Sequence, residues 1–221
     1  MKDVRIRLLY PSSVKPEEVR AAVRGMERFR AYGVLHDSAG LGVNDKEALR
    51  GVSNGKAMKR LVTSPELVMS PIDLHVDVVG IIFNRNIIPV GLTPFRMKEI
   101  VGDEFSVKKE PRLGLSREGI GAIVSLHKPR EMGDASVDES VPIFRNGMDG
   151  GIALKSIELA VAHELGHVFG KTGHCEKDGC LMQANRDFAD FIDRFVIPGV
   201  NFCRDCSSKI SCAVNRMIAP L

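Results

Sequence analysis

His163-Glu164-Leu165-Gly166-His167-Val168-Phe169-Gly170, followed at once by Lys171-Thr172-Gly173-His174-Cys175, constrains this chain more than any other stretch. Two histidines four residues apart sit one turn apart on one face of a helix, close enough to share a tetrahedral metal ion. Glu164, beside the first histidine, is badly placed to ligate the same ion. It can instead lean over an open coordination position and take a proton from a zinc-bound water. Gly170 can end the helix in a left-handed turn, so that the chain folds back and a third histidine reaches the metal from below. His174 is the only histidine downstream.

The flanking pattern favours a metal site over a chance pair of histidines. At roughly 100° per residue, Leu154, Ile157, Val161, Leu165 and Val168 form one stripe, with His163 and His167 on the opposite side. Leu159, Ala160, Ala162 and Phe169 make the rest of the segment apolar, so the helix is expected to be buried and its histidines to need a partner there.

Four of the five cysteines fall as a C-x4-C pair, Cys175 and Cys180, and a C-x2-C pair, Cys203 and Cys206, separated by a helix-length segment. That spacing suits a closed structural zinc site of four thiolates. Cys212 is left over. The chain opens Met1-Lys2-Asp3-Val4-Arg5, with no signal-like or membrane-length apolar run, and the expectation is a cytoplasmic location with reduced thiols and metal rather than disulfides. Seven ligands of two kinds then divide into an open three-histidine site and a closed four-cysteine site, or two zinc ions per chain.

His163, Glu164, His167, Gly170, His174, Cys175, Cys180, Met182, Cys203 and Cys206 occur in the order of the archaemetzincin signature, and the run His163 to Cys206 resembles that family. The resemblance implies a catalytic zinc on His163, His167 and His174, Glu164 as general base, a second zinc on Cys175, Cys180, Cys203 and Cys206, and Met182 as a Met-turn beneath the first site. It also implies the fold, an α/β (α+β) arrangement with a metzincin-like mixed twisted sheet, the active-site helix packed against it, and a small zinc-stapled carboxy-terminal subdomain. Gly121-Ala122-Ile123-Val124-Ser125-Leu126 is similar to the strand that precedes the helix in the family. Two departures stand out. Three residues, Lys171, Thr172 and Gly173, separate Gly170 from His174 where the family has two, and Gly173 can adopt the angles of a wider turn. The interval from Met182 to Cys203 is also a little long, which a slightly longer helix accommodates.

The 221 residues suffice for one packed domain, read here as an amino-terminal lobe over 1–170 and a small carboxy-terminal lobe over 171–221. Thirty-one Lys and Arg against 28 acids give a net charge of +3, too slight to imply nucleic acid or membrane as a partner. No basic cluster surrounds Cys203 to Cys206, which argues against a nucleic-acid-binding ribbon. Val4 to Leu8 alternates as a half-buried strand, and Pro16 starts a helix with the stripe Val19, Val23, Met26 and Phe29 that stops near Gly33. Residues 37–71 read as an insertion over one edge of the core. Val76 to Phe83 is the candidate central strand, with Ala122 to Leu126 as another. Residues 94–118 carry little signal, and 131–151 reads as an acidic loop. Phe188, Phe191, Ile192, Phe195 and Val196 form a second amphipathic stripe, stopped by Pro198-Gly199. Tyr10, Tyr32, His36, His75 and His127 read as ordinary core or surface residues.

The expected function is peptide-bond hydrolysis on a peptide or protein substrate. The alternative is a non-catalytic zinc protein that binds a peptide or protein in the same cleft.

Overall fold

The computed structural model describes residues 4–11, 13–43, 87–93, 100, 101, 106, 107, 113–119, 121–134, 149–170 and 173–218. Seven strands are present among them: β1 (Arg5–Pro11), β2 (Leu35–Val43), β3 (Ile87–Thr93), β4 (Ile100–Val101), β5 (Ser106–Val107), β6 (Gly114–Arg117) and β7 (Gly121–Ser125). The helices are α1 (Pro16–Glu27), α2 (His127–Asp134), α3 (Asp149–Gly170), α4 (Phe188–Phe191) and α5 (Arg204–Ile218). A 3-10 turn over Arg28–Tyr32 extends α1, and a π-type turn over Ile192–Val196 extends α4.

Five strands form one sheet in the order β2-β1-β3-β7-β6. The first four run parallel, and β6 pairs antiparallel with β7 at the rim. The expected mixed sheet is therefore present. Alternate residues Ile6 and Leu8, Ile88, Val90 and Leu92, and Ala122 and Val124 are buried in the main core, as the two-residue period of a strand requires. α1 crosses from β1 to β2, which lets these neighbours lie parallel. α3 packs against β6 and β7 and against α1, α2 and α5, so the central helix of the molecule is the one that carries the histidines.

Four expectations change. The candidate strand Val76 to Phe83 lies outside the described residues, and the central position between β1 and β7 belongs to β3, which the sequence reading passed over. Pro89 disguised it, because proline counts against a central strand; the β7 ladder begins one residue later, at Val90 paired with Ala122. The segment read as the start of an insertion at residue 37 is instead part of β2, paired with β1. The buried side of α1 is Glu18, Ala21, Ala22, Gly25, Met26 and Phe29, while Val19 and Val23 are only half-buried, because small residues allow α1 to approach α3 closely. Residues 131–134, expected in a loop, end α2.

Buried charges tie these layers together. Glu158 of α3 accepts from Arg28 Nη2 and from Lys155 Nζ, both at 2.7 Å, and Arg28 Nη1 donates to the Val200 carbonyl at 3.3 Å. Burial raises the Glu158 pKa, but the Lys155 and Arg28 contacts outweigh it and hold the carboxyl below its ordinary value. A depressed carboxyl pKa contributes stability above the unfolded-state value of about 4.3, and that stability is lost as pH falls through the folded-state pKa. Glu158→Gln should therefore cost on the order of 1–3 kcal/mol at pH 7. Urea unfolding should show the gap between the two proteins closing as pH drops below the ordinary carboxylate range; a gap independent of pH would contradict this.

Candidate metal centre

α3 is buried on every side from Ser156 to Gly166, as its all-round apolar composition requires. His163 and Glu164 are buried within it, His167 is half-buried, and His174 lies exposed beyond the helix end. The three imidazoles converge all the same, with one nitrogen from each within 4.8 Å of the others. His163 Nε2 and His167 Nε2 are 3.1 Å apart. Two nitrogens on one zinc, at 2.0–2.1 Å each and a tetrahedral angle, would stand about 3.3 Å apart. The cluster therefore fits the ion in both donor type and spacing.

The tautomer fits too. His163 Nδ1 lies 2.7 Å from the Leu181 carbonyl, which can only accept, so the proton sits on Nδ1 and the lone pair of Nε2 faces His167. Burial pushes the His163 pKa down, partly offset by that hydrogen bond. Burial, and then the neighbouring His163 and His174, push His167 down to about 3. Both rings are thus held neutral, the form that ligates metal.

Glu164 turns toward the sheet rim, where its Oε2 accepts a 2.5 Å hydrogen bond from Ser116 Oγ on β6. Beneath the histidines, Met182 is buried with its sulfur against the backbone of Gly166. A Cβ at Gly166 would overlap that sulfur and stand 3.0 Å from Phe202 Cε1. Phe195, from the second amphipathic stripe, lies 6.3 Å from the His163 ring, centroid to centroid.

The second cluster gathers Cys175, Cys180, Cys203 and Cys206, whose sulfurs all lie within 4.8 Å of one another. Cys175 to Cys203 and Cys180 to Cys206 are each 3.7 Å, far beyond a disulfide bond of about 2.05 Å. Sulfurs on a common zinc at about 2.3 Å would be about 3.8 Å apart. Burial pushes the Cys180 and Cys206 thiols up. Burial acts the same way on Cys203, but hydrogen bonds from Cys206, Cys180 and Cys175 outweigh it and lower that thiol to about 7. Four sulfurs at this spacing suit a zinc ion, which would favour their thiolate forms. Cys203 and Cys206 flank the start of α5, a helix absent from the sequence reading, and Cys212 is exposed on the same helix.

Lys171 and Thr172 of the turn before His174 lie outside the described residues. Gly170 is the last residue of α3, and neither it nor Gly173 has a left-handed backbone; the positive-φ glycines among the described residues are Gly33, Gly119, Gly179 and Gly199. Gly170 instead makes room for α5, where a Cβ would come within 3.3 Å of Ile210. The extra residue before His174 does not keep its ring from the other two, which removes the main support for a non-catalytic protein. Of the remaining histidines, His127 pairs with Glu131 and His36 lies beside Arg30 and Glu27, neither joining the three-histidine group, while His75 is outside the described residues. Tyr32 donates to Ser207 and serves packing. Sequence reasoning missed Ser116, Gly114 and the Leu181 carbonyl.

Residues 140–212 match the model of peptidase family M54. An archaemetzincin from Methanopyrus kandleri has the same fold, with a TM-score of 0.57 at 18% identity over 97% of both chains. A zinc-dependent peptidase from Methanocorpusculum labreanum (strain Z) is similar at TM-score 0.50 and 22% identity, over 93% of this chain and 99% of that one. The chain therefore has the fold of an archaemetzincin, and about a third of it, spanning both clusters, matches the peptidase family M54 model. No curated protein sequence matches it. That match and the three-histidine cluster support a zinc-dependent peptidase. No described helix is long and apolar enough to cross a membrane.

The Gly166–Met182 contact gives a direct check on how the chain packs beneath its histidines. Gly166→Ala should cost about 1–3 kcal/mol by overpacking. In a Met182→Ala background most of that cost should vanish, since the cycle removes the overlapping sulfur. Urea unfolding of the four zinc-loaded proteins reads this out, and an equal cost in both backgrounds would refute the contact.

Proposed function

We propose that this chain hydrolyses peptide bonds with His163, His167 and His174 holding a catalytic zinc, and that Cys175, Cys180, Cys203 and Cys206 hold a second, structural zinc. The observation that carries the reading is the convergence of three imidazoles at zinc-ligand spacing, with the carboxylate of Glu164 on the same turn of the helix. Three protein ligands leave one tetrahedral position for water or substrate, whereas four thiolates leave none. When bound, the catalytic zinc polarises the scissile carbonyl and makes a water acidic near neutral pH.

The rest of the work falls to the chain. His163 keeps its proton on Nδ1 against the Leu181 carbonyl, which fixes the ring plane and leaves Nε2 as the ligand atom. The Glu164 carboxylate accepts the proton released as the nucleophile forms and passes it to the leaving amine. Among the described residues β6 forms the sheet rim beside Glu164, and an edge strand there suits an extended peptide laid down as an added strand. Met182 supports the histidine cluster from beneath as a Met-turn. Residues 171–221 act as a small lobe stapled by the second zinc, against the larger lobe of residues 1–170.

Glu164→Gln tests the reading. It should retain zinc and the wild-type melting temperature while kcat on a peptide library falls by on the order of 10²–10⁴-fold, because the carboxylate moves protons and does not ligate. A zinc-loaded wild type that cleaves no peptide, or a Glu164→Gln variant as active as wild type, would sink the assignment.

A further inference from the structure

Glu164 is an ionisable side chain inside the core, and an unrestrained carboxylate there would sample several rotamers. Two residues on one strand restrain it. Ser116 Oγ donates to Glu164 Oε2 at 2.5 Å, at the short end for a hydroxyl bonded to a carboxylate. Gly114 lies two residues earlier, hence on the same face of β6, and the three atoms nearest to a Cβ built there are Cγ, Cδ and Oε1 of Glu164 itself. A methyl group at 114 would therefore collide with the carboxylate and with no backbone among those nearest atoms. The bare backbone is a seat and the hydroxyl is a clamp.

We infer that Ser116 is a positioning residue for Glu164, holding its carboxylate in one orientation over the seat that Gly114 provides. This rests on the reading of Glu164 as the proton carrier. The register of β6 on β7, with Gly114 opposite Val124 and Ser116 opposite Ala122, fixes where both residues stand. The clamp is therefore as rigid as the sheet. A proton carrier misplaced by about 1 Å loses on the order of 100-fold in rate, so the orientation matters as much as the presence of the group.

Steady-state kinetics and NMR on the zinc-loaded full chain test this together. Ser116→Ala should lower kcat about 10–100-fold with KM unchanged. Ser116→Thr, which keeps a hydroxyl and suits a strand, should recover most of that loss. Gly114→Ala should lower kcat likewise while leaving zinc content near wild type. The Glu164 carboxyl 13C resonance, identified by its disappearance in Glu164→Gln, should shift in Ser116→Ala and stay in place in Ser116→Thr. An unmoved resonance in Ser116→Ala, an unchanged kcat beside a moved one, or equal impairment of Ala and Thr would overturn the proposal. A wild type inactive on every peptide while the resonance still responds would sink the catalytic reading of Glu164 separately from the clamp.

Discussion

Two neighbouring carbonyls, those of Leu181 and Met182, hold one residue from each metal cluster, and the carboxy-terminal part of the molecule is arranged around them. The Leu181 carbonyl takes the Nδ1 proton of His163 at 2.7 Å, and the Met182 carbonyl takes the backbone N–H of Cys175, also at 2.7 Å. Leu181 N–H in turn donates to the Asn201 carbonyl, which brings the approach to Cys203 alongside. The dipeptide His174-Cys175 supplies a side chain to each cluster from the other direction. The two clusters consequently share backbone at two places, and displacement of one disturbs the other. Met182, whose side chain fills the space under Gly166, closes the same peptide against the helix.

The cost of this arrangement lies in what α3 buries. His163, Glu164, Glu158 and Ser156 all sit within a helix that the surrounding core would otherwise fill with apolar side chains. An unsatisfied polar group in such a place costs about 1–3 kcal/mol. Each of these has a partner: Leu181 for His163, Ser116 for Glu164, Arg28 and Lys155 for Glu158, and the Ile152 carbonyl for Ser156. The four cysteines are different, because two of their thiols resist ionisation when no cation is present. A structural zinc supplies on the order of 10–16 kcal/mol in small zinc domains, comparable to the whole stability of a typical protein at about 5–15 kcal/mol. A zinc held by the four cysteines, as proposed, would outweigh every hydrogen bond in the carboxy-terminal segment.

Legibility in the sequence followed side-chain chemistry. The histidines and cysteines announced themselves, because metal-ligand spacing is a local property and both clusters assemble as their spacing suggests. The stripe of Phe188, Phe191, Ile192, Phe195 and Val196 was equally plain, apart from Phe188, which is half-buried. β3 was hidden by Pro89, and α1 turned its small residues rather than its valines inward, since close helix packing overrode bulk hydrophobicity. Ser116 and Gly114 were invisible for another reason. A strand of four residues carries too little alternation to be seen, and its contact with Glu164 spans 48 positions of sequence. Nothing in composition reports a backbone carbonyl such as that of Leu181. α3 is buried as its composition implies, while Gly170 at its end lacks the expected left-handed backbone and faces Ile210 of α5.

Anomalous diffraction at the zinc absorption edge, from crystals of the zinc-loaded chain, tests the two-cluster assignment most directly. Two peaks are expected, one enclosed by the nitrogens of His163, His167 and His174 and the other by the sulfurs of Cys175, Cys180, Cys203 and Cys206. A single peak, or a peak at the histidines drawing its ligand from Cys175 in place of His174, would contradict it.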